Sequence, residues 1–370
     1  MSDATIQLLR DLIAIDSVNP TLVPGGAGEA QIADRIAGEL RSFGADTAIR
    51  DAAPGRPNVI GVIDRGPGKS LMLCGHSDTV GVAGMTAPFD PIERDGKLFG
   101  RGSQDMKGGV AAILGAARTL ASTLRGGKVV VAIVADEECL SIGAQALVRE
   151  WTADAAILCE PTDLTVGIGH KGFEWAEVTT EGVAAHGSRP DDGVDAIVMM
   201  GRVLNAIEWL DQRFAAGKPH ALLGRPSVHA STIEGGRELS TYPDRCTLSI
   251  ERRTVGGEPP EILGREIDTI LGELRRDPKF RATARFVLHR APYLIAEGHP
   301  LPRLFGGRKT SALSFWTDAA ILGAAGIPSV IFGPGGAGLH GIEEYVRIDE
   351  VLECRDALVD VAMRFCYSTD

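Results

Sequence analysis

Short apolar runs that stop abruptly at polar loops constrain this chain more than any other feature. LMLCG (71–75), VVVAIVA (129–135), AAILC (155–159) and IPSVIF (327–332) are each followed by polar or glycine-rich segments. Runs of this length read as strands buried on both faces, the pattern of a sheet with much parallel pairing. Helical stretches alternate with them. Ile32, Ile36, Leu40 and Phe43 mark one face of a helix that stops at Gly44, and MKGGVAAILGAARTLAST (106–123) reads as a helix of small residues. The alternation predicts an α/β fold.

The middle of the chain has a different texture. FEWAEVTTEGVAAHGS (173–188) and PDRCTLSIERRTV (243–255) alternate with period two, as strands with one solvated face do. Amphipathic stretches lie between and after them, AIVMMGRVLNAIEWLDQRF (196–214) and EILGREIDTILGELRRD (261–277). This α+β content predicts a domain inserted at 175–293 into an α/β domain made of 1–174 and 294–370.

The run VVVAIVA ends in Asp136, Glu137 and Glu138. Carboxylates crowded at one point repel, and burying them unpaired is costly. Either the turn is solvated or a positive charge sits there. The other runs favour the second reading. His76 and Asp78 follow LMLCG, and Glu160 follows AAILC. Asp105 sits in the loop GRGSQDMKGG, and His340 in the loop GPGGAGLHGIEEYV after the last run. In open α/β sheets ligands bind at the carboxyl ends of the strands, and histidines with carboxylates are a sensible donor set for zinc. Two Zn2+ ions shared by Asp105, Glu138 and Glu160, with a bridging hydroxide, would balance the charge. Glu137 would then remain free to move protons. Asp78, two residues after His76, suits a carboxylate that holds the imidazole in one tautomer.

Composition closes off other classes. A formal charge of −11 argues against a nucleic-acid partner, and no run approaches the roughly 18 apolar residues of a membrane span. The N-terminal MSDATIQLLRDLIAIDS has neither a basic stretch nor a cleavage site, and the six cysteines form no CxxC pair. A cytoplasmic enzyme with reduced thiols is expected. Gly333, Gly335 and Gly338 spell GxGxxG, but no βαβ unit and substrate domain fit after them. A binding protein that has lost catalysis is the other rival, and the presence of every candidate ligand together with Glu137 speaks against it.

The motifs NPTLVPGGAGE, GHSDTV, GRGSQDMKGG, ADEE, CEPT, GHKG, GVAAHGSRPDDGVDA, STIEGG, YPDRCTLSIERRT, TDA and GIPSVIFGPG, in this order, span nearly the whole chain. With them the sequence resembles the family of dinuclear zinc amidohydrolases that includes acetylornithine deacetylase, succinyl-diaminopimelate desuccinylase, aminoacylase and glutamate carboxypeptidase. The resemblance implies a zinc-peptidase-like catalytic domain with a mixed, largely parallel sheet, and an inserted lid through which a homodimer forms. One zinc would be held by His76 and Glu160, the other by Glu138 and His340, with Asp105 bridging. Cobalt or manganese could substitute. Glu137 would be general base and then proton donor, with Asp78 behind His76 and a cis peptide after Asp105.

In the lid, His186 matches the family histidine that steadies the oxyanion in the partner's site. Arg253 matches the arginine that pairs with the substrate carboxylate, its neighbour Arg252 being the alternative. The implied reaction is hydrolysis of the amide of an N-acyl-L-amino acid, with a carboxypeptidase acting on a short peptide-like substrate as the alternative. TVGGE and LSTYP depart from the family pattern near the presumed substrate pocket, and LHGIEEYV has Gly341 where serine is common. The acyl group is therefore left open.

Overall fold

The structure is a computed structural model in which residues 3–367 are described. The chain divides into two compact units, one made of Met1–Gly169, Ile295–Ser311 and Thr317–Asp370, the other of His170–Leu294 and Ala312–Trp316. The second unit thus begins earlier than the change of texture at 175 suggests. It also gains a detached piece, and side chains explain why. The Trp316 ring lies edge-on to His170 and Phe173, and its Nε1 donates to the Ala291 carbonyl at 3.1 Å.

In the first unit the sheet runs, in spatial order, Asp46–Ala53, Arg56–Asp64, Lys128–Val134, Ser70–His76, Ala155–Leu158, Ser329–Ile331 and Val166–His170. The strands from Lys128–Val134 to Ser329–Ile331 are parallel, and the flanking pairs are antiparallel. Helices Ala30–Ser42 and Gly108–Thr123 pack on one face and Ile142–Glu150 on the other. Coverage of both faces is why Leu71, Leu73, Val129, Val131 and Ile157 have no exposed surface. The small residues of Gly108–Thr123 let that helix lie close to the sheet. A Cβ on Gly109 would stand 2.1 Å from the Cys159 carbonyl oxygen.

The second unit is a four-stranded antiparallel sheet, in the order Ser227–Gly235, Arg245–Thr254, Gly172–Glu181, Ala282–Arg290. Helices Ala196–Ala216 and Ile262–Leu274 cover one face. Period-two alternation buries Cys246, Leu248, Ile250 and Arg252 while their neighbours stay half-exposed. Among the described residues no helix is long and apolar enough to cross a membrane.

Candidate active site

His76 is the last residue of the strand Ser70–His76 and lies in register opposite Val134 of its parallel neighbour, while Cys74 lies opposite Leu158 on the other side. Glu137, Glu138 and Glu160, a few residues past those strands, are therefore delivered to the same sheet edge. Asp105 and His340 arrive by another route. A small sheet pairs Gly336–Ala337 with Tyr345–Arg347, and that strand with Lys97–Phe99. It ties the loop of His340 to the segment leading into Asp105. The Asp105–Met106 peptide is cis, and His340 adopts a left-handed φ of 57°.

The side chains converge. Asp105 stands between the two imidazoles, its Oδ1 3.3 Å from His76 Nε2 and its Oδ2 3.5 Å from His340 Nε2. His340 Nε2 is also 3.3 Å from Glu138 Oε2, and His76 Nε2 is 3.8 Å from Glu160 Oε2. Two triads, His76–Glu137–Glu160 and His76–Asp105–Glu138, each bring one donor atom per residue within 4.8 Å of the others. His76 and Glu160 are buried, Glu137 and Glu138 half-buried, and His340 sits exposed at the rim.

Charge is crowded in this cluster. Burial, and then the charge of Glu160, push the Glu137 carboxyl well above the usual range, and burial takes Glu160 up to about 8. Hydrogen bonds to Asp105 and Glu138 raise His340 to about 10. Burial disfavours a charged His76, yet its bonds to Asp105 and Asp78 outweigh that and raise it. Glu138 Oε1 is buried and has no hydrogen-bond partner. Mutually repelling carboxylates, imidazoles and an unsatisfied acceptor suit divalent cations of borderline softness with mixed N/O ligands.

Asp78 stands behind His76, its main-chain carbonyl 2.9 Å and its carboxylate 3.5 Å from His76 Nδ1. That carboxylate also accepts from the main-chain N–H groups of Glu137 and Glu138, at 3.1 and 3.2 Å. The three consecutive acids also part company. Asp136, fully buried with a φ of 66°, turns away from its neighbours to accept from Arg56 and Asn19, each at 2.9 Å.

In the second unit His186 is exposed, and its Nδ1 accepts from the Ser188 N–H at 3.2 Å. Arg252 is buried and forked between Glu258 and Glu266, with all three of its guanidinium nitrogens donating to those carboxylates. Arg253 is accessible. Its Nε donates to Glu251 at 2.7 Å and its guanidinium lies over the Phe173 ring.

Sequence reasoning missed Arg101 and Glu344. The Glu344 carboxylate accepts from Arg101 Nη1 at 2.6 Å and from the main-chain N–H groups of Gly102, Gln104 and Asp105. Arg101 Nη2 in turn donates to the Gly341 carbonyl at 3.0 Å. Together they clip the Asp105 loop to the His340 loop. Only the second acid of IEEYV could have hinted at it.

The chain is similar throughout to proteins of known activity. Acetylornithine deacetylase of Myxococcus xanthus is 32% identical over 373 residues, covering 97% of this chain and 96% of that protein. The N-formyl-4-amino-5-aminomethyl-2-methylpyrimidine deformylase of Bacillus subtilis is 28% identical, covering 98% and 94%. Among solved structures, a dinuclear metal-binding peptidase of family M20 from Bacillus subtilis superposes with a TM-score of 0.72 at 14% identity, over 98% of this chain and 97% of that one. The model of peptidase family M20/M25/M40 matches residues 72–364. The chain belongs to that family, and it is a metal-dependent amide hydrolase.

Proposed function

We propose that this protein hydrolyses the amide of a small N-acyl-L-amino acid, releasing the free amine. The observation that carries the reading is the Asp105 carboxylate standing between His76 and His340, with Glu138 and Glu160 on either side. This donor set fits two zinc ions, with His76 and Glu160 at one, Glu138 and His340 at the other, and Asp105 shared. Cobalt or manganese would suit the same ligands. The chemistry such ions supply when bound is Lewis acidity toward the acyl oxygen and a water of lowered pKa.

The chain's own residues do the rest. Glu137 accepts a proton from the attacking water and delivers it to the leaving nitrogen. The Asp78 carbonyl fixes the His76 ring so that Nε2 faces the site. His186, whose Nδ1 lies 2.8 Å from the Ser188 hydroxyl and 3.2 Å from its N–H, would donate toward the developing oxyanion of a partner subunit's substrate. Arg253 supplies a planar fork for the substrate carboxylate. The similarity to acetylornithine deacetylase over nearly the whole chain supports a deacylase. The six cysteines, none of them in a disulfide, suit a reducing cytoplasm.

The test is amine release from a panel of N-acetyl and N-succinyl amino acids and N-blocked dipeptides, with zinc and after chelation. Zinc-dependent release from the N-acyl amino acids is expected, with N-acetyl-L-ornithine and its neighbours first. Release from the blocked dipeptides alone would establish the carboxypeptidase alternative. Silence across the panel with metal bound would overturn the reading.

A further inference from the structure

The segment NPTLVPGG carries no role in the chemistry above, yet its asparagine touches the site's supports. We propose that Asn19 is a positioning residue for Glu137 and Glu138, its amide bridging the two buried carboxylates that pin their turn. The proposal rests on the reading of Glu137 as base and Glu138 as metal ligand.

Asn19 has no exposed surface. Its Nδ2 donates to Asp78 Oδ2 at 2.8 Å and to Asp136 Oδ1 at 2.9 Å, one donor directed at each anion. Those anions hold the turn from both ends. Asp78 accepts from the Glu137 and Glu138 N–H groups. The Asp136 carboxylate accepts from the Leu140 N–H at 3.2 Å, and its carbonyl from the Ser141 N–H at 2.6 Å. Asn19 is fixed in turn, because its N–H donates to the Thr79 carbonyl at 2.9 Å and joins the segment to the chain just beyond His76. Arg56 donates to the same Asp136 oxygen, at 2.9 Å, while forked onto Glu29 at 2.6 Å.

The chemistry selects asparagine at this point. Two buried carboxylates close enough to share a donor need one that serves both without adding charge, since Arg56 already supplies the local cation. A serine has one donor and an aspartate, when ionised, has none. The two halves of the Asn19 amide also do separate work. Its Oδ1 accepts from the Thr21 and Leu22 N–H groups, a local turn, and only its Nδ2 reaches the carboxylates. Asn19→Asp therefore keeps the turn acceptor and the shape while removing the bridge. Asn19→Ala removes both.

The experiment compares wild type, Asn19→Asp and Asn19→Ala by hydrogen–deuterium exchange, with zinc and after chelation. Zinc affinity is read by competition with a chelator, and kcat and KM on the best substrate of the panel. In both variants we expect peptides spanning 136–141 to exchange about tenfold faster, while those spanning 245–254 stay unchanged and report an intact fold. Zinc affinity should fall about 10- to 100-fold, and kcat should fall with KM within about twofold. Wild-type exchange and zinc affinity in Asn19→Asp would overturn the proposal and leave Asn19 a turn residue. If Asn19→Asp does not fold, Asn19→Ser, which keeps an oxygen acceptor for the turn and can serve at most one of the two carboxylates, decides by the same readouts. A wild-type protein that binds zinc without turnover would sink the catalytic reading alone, since exchange and affinity still decide whether Asn19 holds the turn.

Discussion

Arg252 lies against the Phe214 ring with its guanidinium fork filled by Glu258 and Glu266, while Arg253, one residue on, lies over Phe173 on the opposite face of the strand. Period-two alternation guarantees that two adjacent arginines cannot share a face. The string ERR says nothing about which one is inside. The difference makes a prediction. Arg252→Ala strands two half-buried acids and should cost about 1–3 kcal/mol, read as a lowered midpoint of urea unfolding. If Arg253 holds the substrate carboxylate as proposed, Arg253→Ala should leave that midpoint in place and raise KM. The reverse pattern would exchange their roles. Glu137 and Glu138 raise the same question of division. Glu137→Ala should keep full zinc content and lose about 10²- to 10⁴-fold in kcat. Loss of zinc, measured by metal analysis, would place Glu137 among the ligands, a position its closeness to His76 and Glu160 makes concrete.

At the level of elements, the strand-to-loop junctions were readable because burial on both faces leaves an unbroken apolar string, and the string's end is where a side chain first meets solvent or a ligand. His76, Glu137, Glu138 and Glu160 all stand at such ends. The supports were not readable in that way. Glu29, Arg56 and Asp136, like Arg101 and Glu344, come together from distant parts of the chain, and a buried ion pair leaves no periodicity to mark it. Asp78 shows the same limit, because its spacing from His76 pointed to the ring but not to its second task, holding the main chain of Glu137 and Glu138. The glycines of DMKGG are intermediate, since they announce close approach without naming the neighbour. Here it is the Cys159 carbonyl, one residue before Glu160. Gly109→Ala should therefore cost about 1–3 kcal/mol through overpacking. By displacing Glu160, it should also weaken zinc binding, visible as faster loss of metal to a chelator. A helix-stabilised protein with unchanged zinc retention would show that the close approach is unimportant.

For the whole molecule, the second unit carries an open surface that the proposed homodimer would use. Ser227–Gly235 is an edge strand, exposed along nearly its full length, with Ile233 pointing to solvent. Helix Ala196–Ala216 packs beside it and exposes Ile197, Val198 and Trp209, the last at 62%. Ile197 lies next to Gly236 at the strand's end, which joins the two elements into one patch. An open edge with apolar neighbours invites pairing, and a second identical edge is its natural complement in a two-fold dimer. Trp209→Glu combined with Ile233→Lys should convert a dimer into a monomer, read by light scattering behind a sizing column. If His186 acts on the partner's substrate, that monomer should keep its zinc and lose turnover. Mixing it with His186→Ala would not restore activity, because the altered face can no longer pair. A monomeric wild type, or a monomeric variant with full turnover, would confine His186 to a role within its own chain.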